Sequence, residues 1–212
     1  MRLPADQRRR QLLDVACDVF AAGGFHGTSM DEVAVAAGVT KPVLYQHFPS
    51  KRALYGEVLG DVESRLLTHV RRATSEAHTG RERVEAGFTA YFRFVTENDA
   101  GFRVLFGAPV RNDPEFSRFV QHTIDQIAEL IAGLIDIDVD EEHRRVLAHA
   151  LVGMAEATSR RLQRADAERD PRRLARWLSE MAWFGLRGVR TGEPDAVAGS
   201  ASGGERAHGR LR

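Results

Sequence analysis

Cysteine is almost missing from this chain. The one thiol in 212 residues, Cys17, has no second cysteine to pair with, which excludes an intrachain disulfide and points to a reducing, cytoplasmic setting. Cys17 stands at helical spacing from Leu13, Ala16 and Phe20, the surroundings of a small buried thiol rather than of a redox sensor. No apolar run approaches the ~18–20 residues of a membrane span and no segment resembles a signal peptide, so no membrane partner is expected. An excess of charge of one sign is lacking too, since 30 acidic side chains balance 30 basic ones. That balance excludes a protein that coats a polyanion by sheer positive charge, yet it allows one that concentrates charge where phosphates lie. Arg8, Arg9 and Arg10, near the start of the chain, are one such concentration. Lysine is scarce, and both lysines, Lys41 and Lys51, fall in one short stretch.

Catalytic constellations are missing as well. The eight histidines are scattered, and His143 and His149, six apart, do not share a helix face as ligands four apart would. A lone cysteine rules out a cysteine-rich zinc site. No Gly-x-Ser-x-Gly elbow, phosphate-cradling glycine loop or dinucleotide fingerprint is present. Asp136, Asp138, Asp140, Glu141 and Glu142 alternate loosely like a calcium loop but lack its glycine, and read as a solvated acidic loop. Arg160, Arg161 and Arg164 read as a solvated or dipole-complementing helix face. The expectation is a protein with no catalytic residue, no bound metal and no cofactor.

What the chain does contain is most concentrated between residues 28 and 55. Ser29, with Glu32 three residues on, forms the Ser-x-x-Glu capping box that starts a helix. Val33, Ala36 and Ala37 recur at helical spacing, and Gly38 follows where a chain leaving a helix often needs positive φ. Thr40 can cap the next helix, with Pro42 in its first turn, where the missing N–H costs nothing. That second helix, Lys41 to about His47, is roughly 10 Å long at ~1.5 Å per residue. Val43, Leu44 and Phe48 partly face inward and leave Thr40, Lys41, Pro42 and Gln46 outside. A helix, a tight turn and a short second helix of this size make a helix-turn-helix, whose second helix fits a major groove. The bland alternative is a solvated polar helix in an ordinary bundle. Capping, turn, length and the aromatic-basic ending together favour DNA.

Elsewhere the periodicity is helical, with no strand alternation. Helix 1 is predicted from about Ala5 to Ala22, with Leu12, Leu13, Ala16, Val19 and Phe20 as its stripe and Gly23-Gly24 as its stop. Helix 4 is predicted from Ser50 to about His78, with Leu54, Val58, Val62, Leu66 and Val70 every four residues. It is long enough to leave the N-terminal unit and join the rest. Beyond Gly80 come a fifth helix, about Arg81 to Glu97, and a short sixth around Phe102, Leu105 and Phe106, ended by Gly107 and Pro109. Asp113-Pro114 opens a seventh, an eighth starts near Asp140, and Asp170-Pro171 opens a ninth. From Thr191 glycine, serine and alanine dominate and the period vanishes, which predicts a disordered tail over 191–212.

The run Gly24-Phe25-His26-Gly27-Thr28-Ser29-Met30-Asp31-Glu32-Val33-Ala34 resembles the opening of helix 2 in the TetR family of transcriptional regulators. Ala37-Gly38-Val39-Thr40-Lys41-Pro42-Val43-Leu44-Tyr45-Gln46-His47-Phe48-Pro49-Ser50-Lys51 resembles that family's turn, recognition helix and start of helix 4. The likeness spans residues 8–59 and implies a ligand-responsive, sequence-specific DNA-binding regulator rather than an enzyme. The architecture then reads as all-α with about nine helices. A helix-turn-helix domain occupies 1–50, and a helical ligand-binding and dimerisation domain occupies 51–190, with helix 4 as the link. By resemblance, Tyr45, His47 and Lys51 contact phosphates. Thr40, Lys41, Pro42, Val43 and Gln46 are placed to reach base edges, where lysine pairs with guanine and apolar groups touch a thymine methyl. Ser29 or Thr28, with the N-terminus of helix 2, adds phosphate contacts.

Seven of the eleven phenylalanines fall between residues 88 and 119. Helical spacing alone reads them as core. The resemblance implies a ligand cavity among helices 4 to 8, which makes Phe88, Phe92, Phe102, Leu105 and Phe106 candidate lining. Phe119, Thr123 and Ile127 join them, with Met154 from helix 8. Such walls suit a long aliphatic or flat hydrophobic molecule, not a sugar or a free amino acid. Helix 6, short and flanked by glycines, is the piece expected to move when the cavity fills.

Three segments narrow the likeness: Leu3-Pro4-Ala5-Asp6 to Leu13, Lys41 to Phe48, and Ala100-Gly101-Phe102-Arg103-Val104-Leu105-Phe106. They resemble the regulators of fatty-acid synthesis within the family, which sense long-chain acyl-CoA and can activate transcription. A repressor released by ligand is the general family implication, and the acyl-CoA activators reverse its sign. Helices 8 and 9 carry Leu147, Leu151, Trp177, Met181 and Phe184, more apolar surface than a monomer needs. The expected assembly is a homodimer through these helices, presenting two recognition helices to a palindromic double-stranded operator. Two competing readings stand beside this one. A small-molecule binding or modifying enzyme on a helical scaffold lacks a catalytic constellation, and a nucleoid-type DNA binder without sequence choice sits badly with zero net charge.

Overall fold

The computed structural model describes residues 4–107, 113–164 and 170–189. Among the described residues there are nine α-helices and no strand. They are α1 (Ala5–Gly27), α2 (Met30–Ala36), α3 (Lys41–His47), α4 (Lys51–Ser75), α5 (Gly80–Glu97), α6 (Asp99–Phe106), α7 (Pro114–Ala132), α8 (Glu141–Arg164) and α9 (Pro171–Gly188). Pro109 and the expected tail, 191–212, lie outside the described residues. No helix among them is long and apolar enough to cross a membrane.

Capping chemistry sets the boundaries. Ser29 and Glu32 close both halves of the box at α2, and Thr79 with Glu82 closes a second box at α5. That second box explains why α4 ends at Ser75 rather than near His78: the chain must already be extended at Thr79. Ser50, Asp113 and Asp170 accept backbone N–H groups at the starts of α4, α7 and α9, with Pro114 and Pro171 just inside. Helix α1 breaks at its predicted stop. Gly24 takes φ +69° and breaks the helical path, then a last turn carries Phe25 into the core. The arginine cluster at 8–10 sits in the first turns of α1, within the span predicted from Ala5.

One apolar core runs through the molecule. Helix α1 packs on both α4 and α6, α5 on α4 and α9, and α7 on α8. The predicted α4 stripe of Leu54, Val58, Val62, Leu66 and Val70 is buried along its whole length. Burial of each such side chain is worth roughly 1.5–3 kcal/mol relative to exposure. That outweighs the ion pairs along the same helix, whose exposed kind contribute about 0–1 kcal/mol each. Cys17 is half-buried beside this core, and burial, first of all, pushes its thiol up to about 12. It stays protonated and unreactive at neutral pH.

Where α1, α4 and α7 meet, aromatic rings interlock. Tyr55 lies edge-on to Phe20 at 4.8 Å and to Phe116 at 4.7 Å, and Phe25 meets Phe116 at 5.0 Å. Above them the Arg52 guanidinium covers the Phe116 ring at 4.9 Å while bonding Asp113 at 3.0 Å and Glu115 at 2.6 Å. Desolvation raises the Asp113 carboxyl, but hydrogen bonds from Arg52 and from the backbone of Glu115 and Phe116 win and hold it below the ordinary carboxylate range. The cap of α7 is thus also its tie to α4.

Candidate nucleic-acid interface and cavity

The turn between α2 and α3 is closed by local hydrogen bonding. Gly38 takes φ +65°, its N–H donates to Val35 O at 3.1 Å, and Val39 N–H donates to Ala34 O at 3.0 Å. These are the two bonds of a Schellman end, which orients α3 at a fixed angle to α2. Leu44 and Phe48 are buried and anchor α3 against the core, while Val43 is half-buried. Thr40, Lys41, Pro42, Tyr45 and Gln46 are exposed on its outer face, and His47 is half-buried at its end. Seven residues at ~1.5 Å each give a rod short enough to lie within one groove.

Several of these side chains hold partners that the sequence did not suggest. Thr40 occupies the N-cap position, yet its hydroxyl makes no cap bond, contrary to the expected capping role. Lys41 Nζ pairs with Asp31 on α2 at 2.9 Å, which raises the lysine pKa. Lys51 Nζ donates to Thr28 O at 2.8 Å and sits 4.6 Å above the Phe25 ring, so it ties the loop before α2 to the start of α4. Thr28 itself is buried with its hydroxyl turned to Val19 O at 3.4 Å, so it packs rather than reaches outward. Ser29 is exposed, but its hydroxyl is engaged with Glu32, whose carboxyl is held low first by the Ser29 backbone N–H and then by that hydroxyl. The arginine cluster is likewise engaged. Arg9 pairs with Glu57 and lies 5.0 Å over Phe48, and Arg10 pairs with Asp61 at 2.5 Å.

A cavity of about 540 Å³ lies at the other end of α4. Val70 and Thr74 line it from the last turns of α4, and Gly87, Phe88 and Tyr91 from one face of α5. Ile127 and Ile131 close it from α7, Leu151 and Ala155 from α8, and Trp183 and Leu186 from α9. Gly87 offers no side chain, which leaves room where every neighbouring helix contributes bulk. Phe88, Tyr91 and Ile127 are buried at one end, and burial pushes the Tyr91 phenol above its ordinary range, so it stays neutral there. At the other end Gly80, Arg83, Asp136, Asp138 and Arg187 surround an opening to solvent.

This is not the set of lining residues taken from the family resemblance. Of the nine candidates, Phe88 and Ile127 face the cavity. Phe92, Phe102, Leu105 and Phe106 fill the core between α1, α4, α5 and α6, each almost wholly buried. Phe119 and Met154 pack partly buried against that core. Thr123 is fully buried, its hydroxyl bonded to Glu63 Oε1 at 2.9 Å. Helix α6 therefore closes the junction with α1 and does not wall the cavity. The residues missed are mostly aliphatic, and the available signal was Gly80 and Gly87, two turns apart on one face of α5.

Large apolar side chains stand exposed on α8 and α9. Trp177, Met181 and Phe184 on α9 and Val146 on α8 are exposed, Leu147 is half-buried and Leu151 is buried. No group of three or more histidine, cysteine, aspartate or glutamate side chains able to hold a metal ion occurs among the described residues.

Residues 12–58 match the family described as bacterial regulatory proteins, tetR family, and residues 81–185 match the tetracyclin repressor-like C-terminal domain. Over 190 residues the chain is 36% identical to the HTH-type transcriptional activator FasR of Mycolicibacterium smegmatis, covering 89% of this chain and 87% of that protein. A TetR-like transcriptional regulator from Rhodococcus sp. RHA1 has a crystal structure that superposes with a TM-score of 0.74 at 32% identity, over 89% of this chain and 100% of that one. The Bacillus subtilis transcriptional regulator FadR, in complex with stearoyl-CoA, shares the fold with a TM-score of 0.68 at 15% identity, over 85% and 99% of the two chains. With a helix-turn-helix head, an all-helical body and matches across both, the chain belongs to the TetR family of bacterial transcriptional regulators.

Proposed function

We propose that this regulator binds a palindromic operator as a cytoplasmic homodimer and answers to a hydrophobic effector of the long-chain acyl-CoA type. The observation that carries the effector reading is the apolar cavity of about 540 Å³ between α4, α5, α7, α8 and α9. Its size falls within the ~300–1,000 Å³ usual for small-molecule sites. Away from the charged opening the walls are aliphatic and aromatic with one neutral phenol, which suits a hydrocarbon chain better than the many hydroxyls of a sugar. The stearoyl-CoA complex of the FadR neighbour agrees with that class.

On the DNA side, the head of residues 1–50 presents Thr40, Lys41, Pro42, Val43 and Gln46 to base edges. Ser29, Tyr45, His47 and Lys51 line the flanking phosphates. Lys41 must leave Asp31 to reach a guanine, and Thr40 brings a hydroxyl with no cap bond to break. The body of residues 51–190 dimerises through α8 and α9, where Trp177, Met181 and Phe184 stand exposed. Two-fold pairing of that face sets the spacing of the two recognition helices.

The test measures binding of the purified chain to a selected palindromic duplex and to random duplexes across a salt series, with and without long-chain acyl-CoA. Specific binding loses affinity with a log–log slope of about −0.9 per neutralised phosphate. Lys41→Ala relaxes discrimination at one base pair by ~1–3 kcal/mol, whereas Lys51→Ala weakens all duplexes alike. Equal affinity for every duplex overturns the DNA assignment. Unaltered DNA affinity with saturating acyl-CoA overturns the effector.

A further inference from the structure

The opening of the cavity differs from its walls. Arg83 on α5 and Arg187 on α9 flank it from two helices, and neither forms an ion pair among the described residues. Arg187 rests 5.8 Å from the Trp183 ring, itself a cavity wall. Asp136 and Asp138 line the same cavity, both exposed and likewise without an ion pair among the described residues. The four formal charges cancel, so the opening has no general pull on polyanions. An anion gains there only by direct contact with a guanidinium, whose planar fork fits carboxylate or phosphate oxygens.

Depth fixes the orientation of what fits. From Gly80 at the opening to Tyr91 at the buried end, the lining face of α5 advances eleven residues, about 16 Å at ~1.5 Å each. A C–C bond of ~1.52 Å at an angle near ~111° advances about 1.25 Å, so that depth takes about a dozen extended carbons. No charged residue lines the buried end, and Phe88 and Ile127 flank Tyr91 there.

We propose that Arg83 and Arg187 form a headgroup site for an anionic amphiphile whose tail runs inward along α5 to Tyr91. The proposal rests on the reading of this cavity as the effector site and names which end of the effector binds where. The anion is a terminal carboxylate or the phosphates of a thioester-linked nucleotide, and the two are separable by probe. Asp136 and Asp138 oppose either one, which keeps binding of anions reversible.

Three probes share one tail: tetradecanoate, tetradecanoyl-CoA and tetradecanol, titrated into the full chain by calorimetry with Trp183 fluorescence as a second readout. The wild-type chain is expected to bind at least one of the two anions tenfold or more tighter than the alcohol. The double variant Arg83→Gln with Arg187→Gln brings that anion down to the alcohol's affinity and leaves the alcohol unchanged. Asp136→Asn with Asp138→Asn tightens the anion several-fold and again spares the alcohol. Loss confined to tetradecanoyl-CoA assigns the guanidiniums to phosphates, and loss for tetradecanoate assigns them to the carboxylate. Retention of full anion preference in the arginine double variant overturns the headgroup site while the cavity reading survives. Failure of all three probes to bind the wild-type chain overturns the cavity reading as well. Unchanged circular dichroism and DNA affinity confirm that the variants are folded.

Discussion

The two ends of α4 touch apolar regions of opposite character. Near its start, Phe20, Phe25, Tyr55 and Phe116 interlock with ring centroids 4.7–5.1 Å apart and are all buried. Near its end, Val70 and Thr74 face a cavity of about 540 Å³ walled mostly by aliphatic side chains, with Phe88, Tyr91, Trp183 and Gly87 among them. The first region joins the DNA-reading head to the body as a solid block. The second leaves room for something else. Helix α7 belongs to both, with Phe116 in the ring cluster and Ile127 and Ile131 on the cavity wall. A molecule that enters the hollow end therefore presses on two helices, α4 and α7, which converge on the solid end beside the recognition unit.

The sharpest way to break this contrast is to remove one side chain from each end. Phe116→Ala takes a ring from a filled cluster and is expected to cost ~3–5 kcal/mol in urea denaturation. Ile131→Ala, on a wall already facing empty space, is expected at or below the low end of the ~2–5 kcal/mol seen for such truncations. Equal losses would mean that the hollow end is as closely packed as the other.

Filling the hollow end sharpens the contrast from the opposite side. A Cβ at Gly87 meets only Thr74 Cγ2 at 3.5 Å, an ordinary contact, and the rest of a larger side chain projects into the cavity. Gly87→Leu is expected to leave stability unchanged or raise it by up to ~1 kcal/mol, the helix-propensity gain over glycine. Acyl-CoA affinity should fall more than tenfold in the same variant. Retained affinity would place the effector elsewhere.

A smaller effect is expected at the tie above the ring cluster. Asparagine caps a helix as well as aspartate does, so Asp113→Asn keeps the start of α7 and removes only its charge pairing with Arg52. The urea midpoint should drop less than in Ile131→Ala. Because the Asp113 carboxyl is held low when folded, its contribution is present above its unfolded pKa near ~3.9 and is lost as pH falls through the folded value. The smallest effect is expected at His149, whose imidazole bonds Arg145 O at 2.9 Å and Asp125 at 3.2 Å, raising its pKa. Its stabilisation is complete below about 6.5 and disappears as pH rises through the raised folded value. His149→Gln should flatten that part of the pH profile of the urea midpoint, and an unchanged slope would remove the histidine from the account.

The head was legible in the sequence because its determinants are local. A capping box, a glycine at the turn and a proline in the first helical turn each act within four residues, and the structure uses all three. The α4 stripe was legible for the same reason, since a four-residue repeat marks burial whatever lies opposite. The cavity was not. Periodicity reports that Phe92, Phe102 and Phe106 face inward, but not whether the space beyond them is full, which depends on how α5, α7, α8 and α9 lean together. Phe92, Phe102 and Phe106 fill the junction with α1, and mostly aliphatic residues, with Phe88, Tyr91 and Trp183, surround the void. Lys51 shows a related limit. Its position suggested a phosphate contact, while its bond to Thr28 O comes from a loop 23 residues away.

The central claim is that an effector in the hollow end changes DNA binding at the far end of α4. It is tested most directly by operator affinity, measured on a palindromic duplex selected from a random library, for the wild-type chain and Gly87→Leu with and without tetradecanoyl-CoA. A ligand moves such an equilibrium only by its difference in affinity between the two states, so the shift reads the coupling itself. The account predicts that acyl-CoA changes wild-type affinity at least tenfold and leaves Gly87→Leu, which still binds the operator, unchanged. An identical response in both proteins, or none in the wild type, would contradict it.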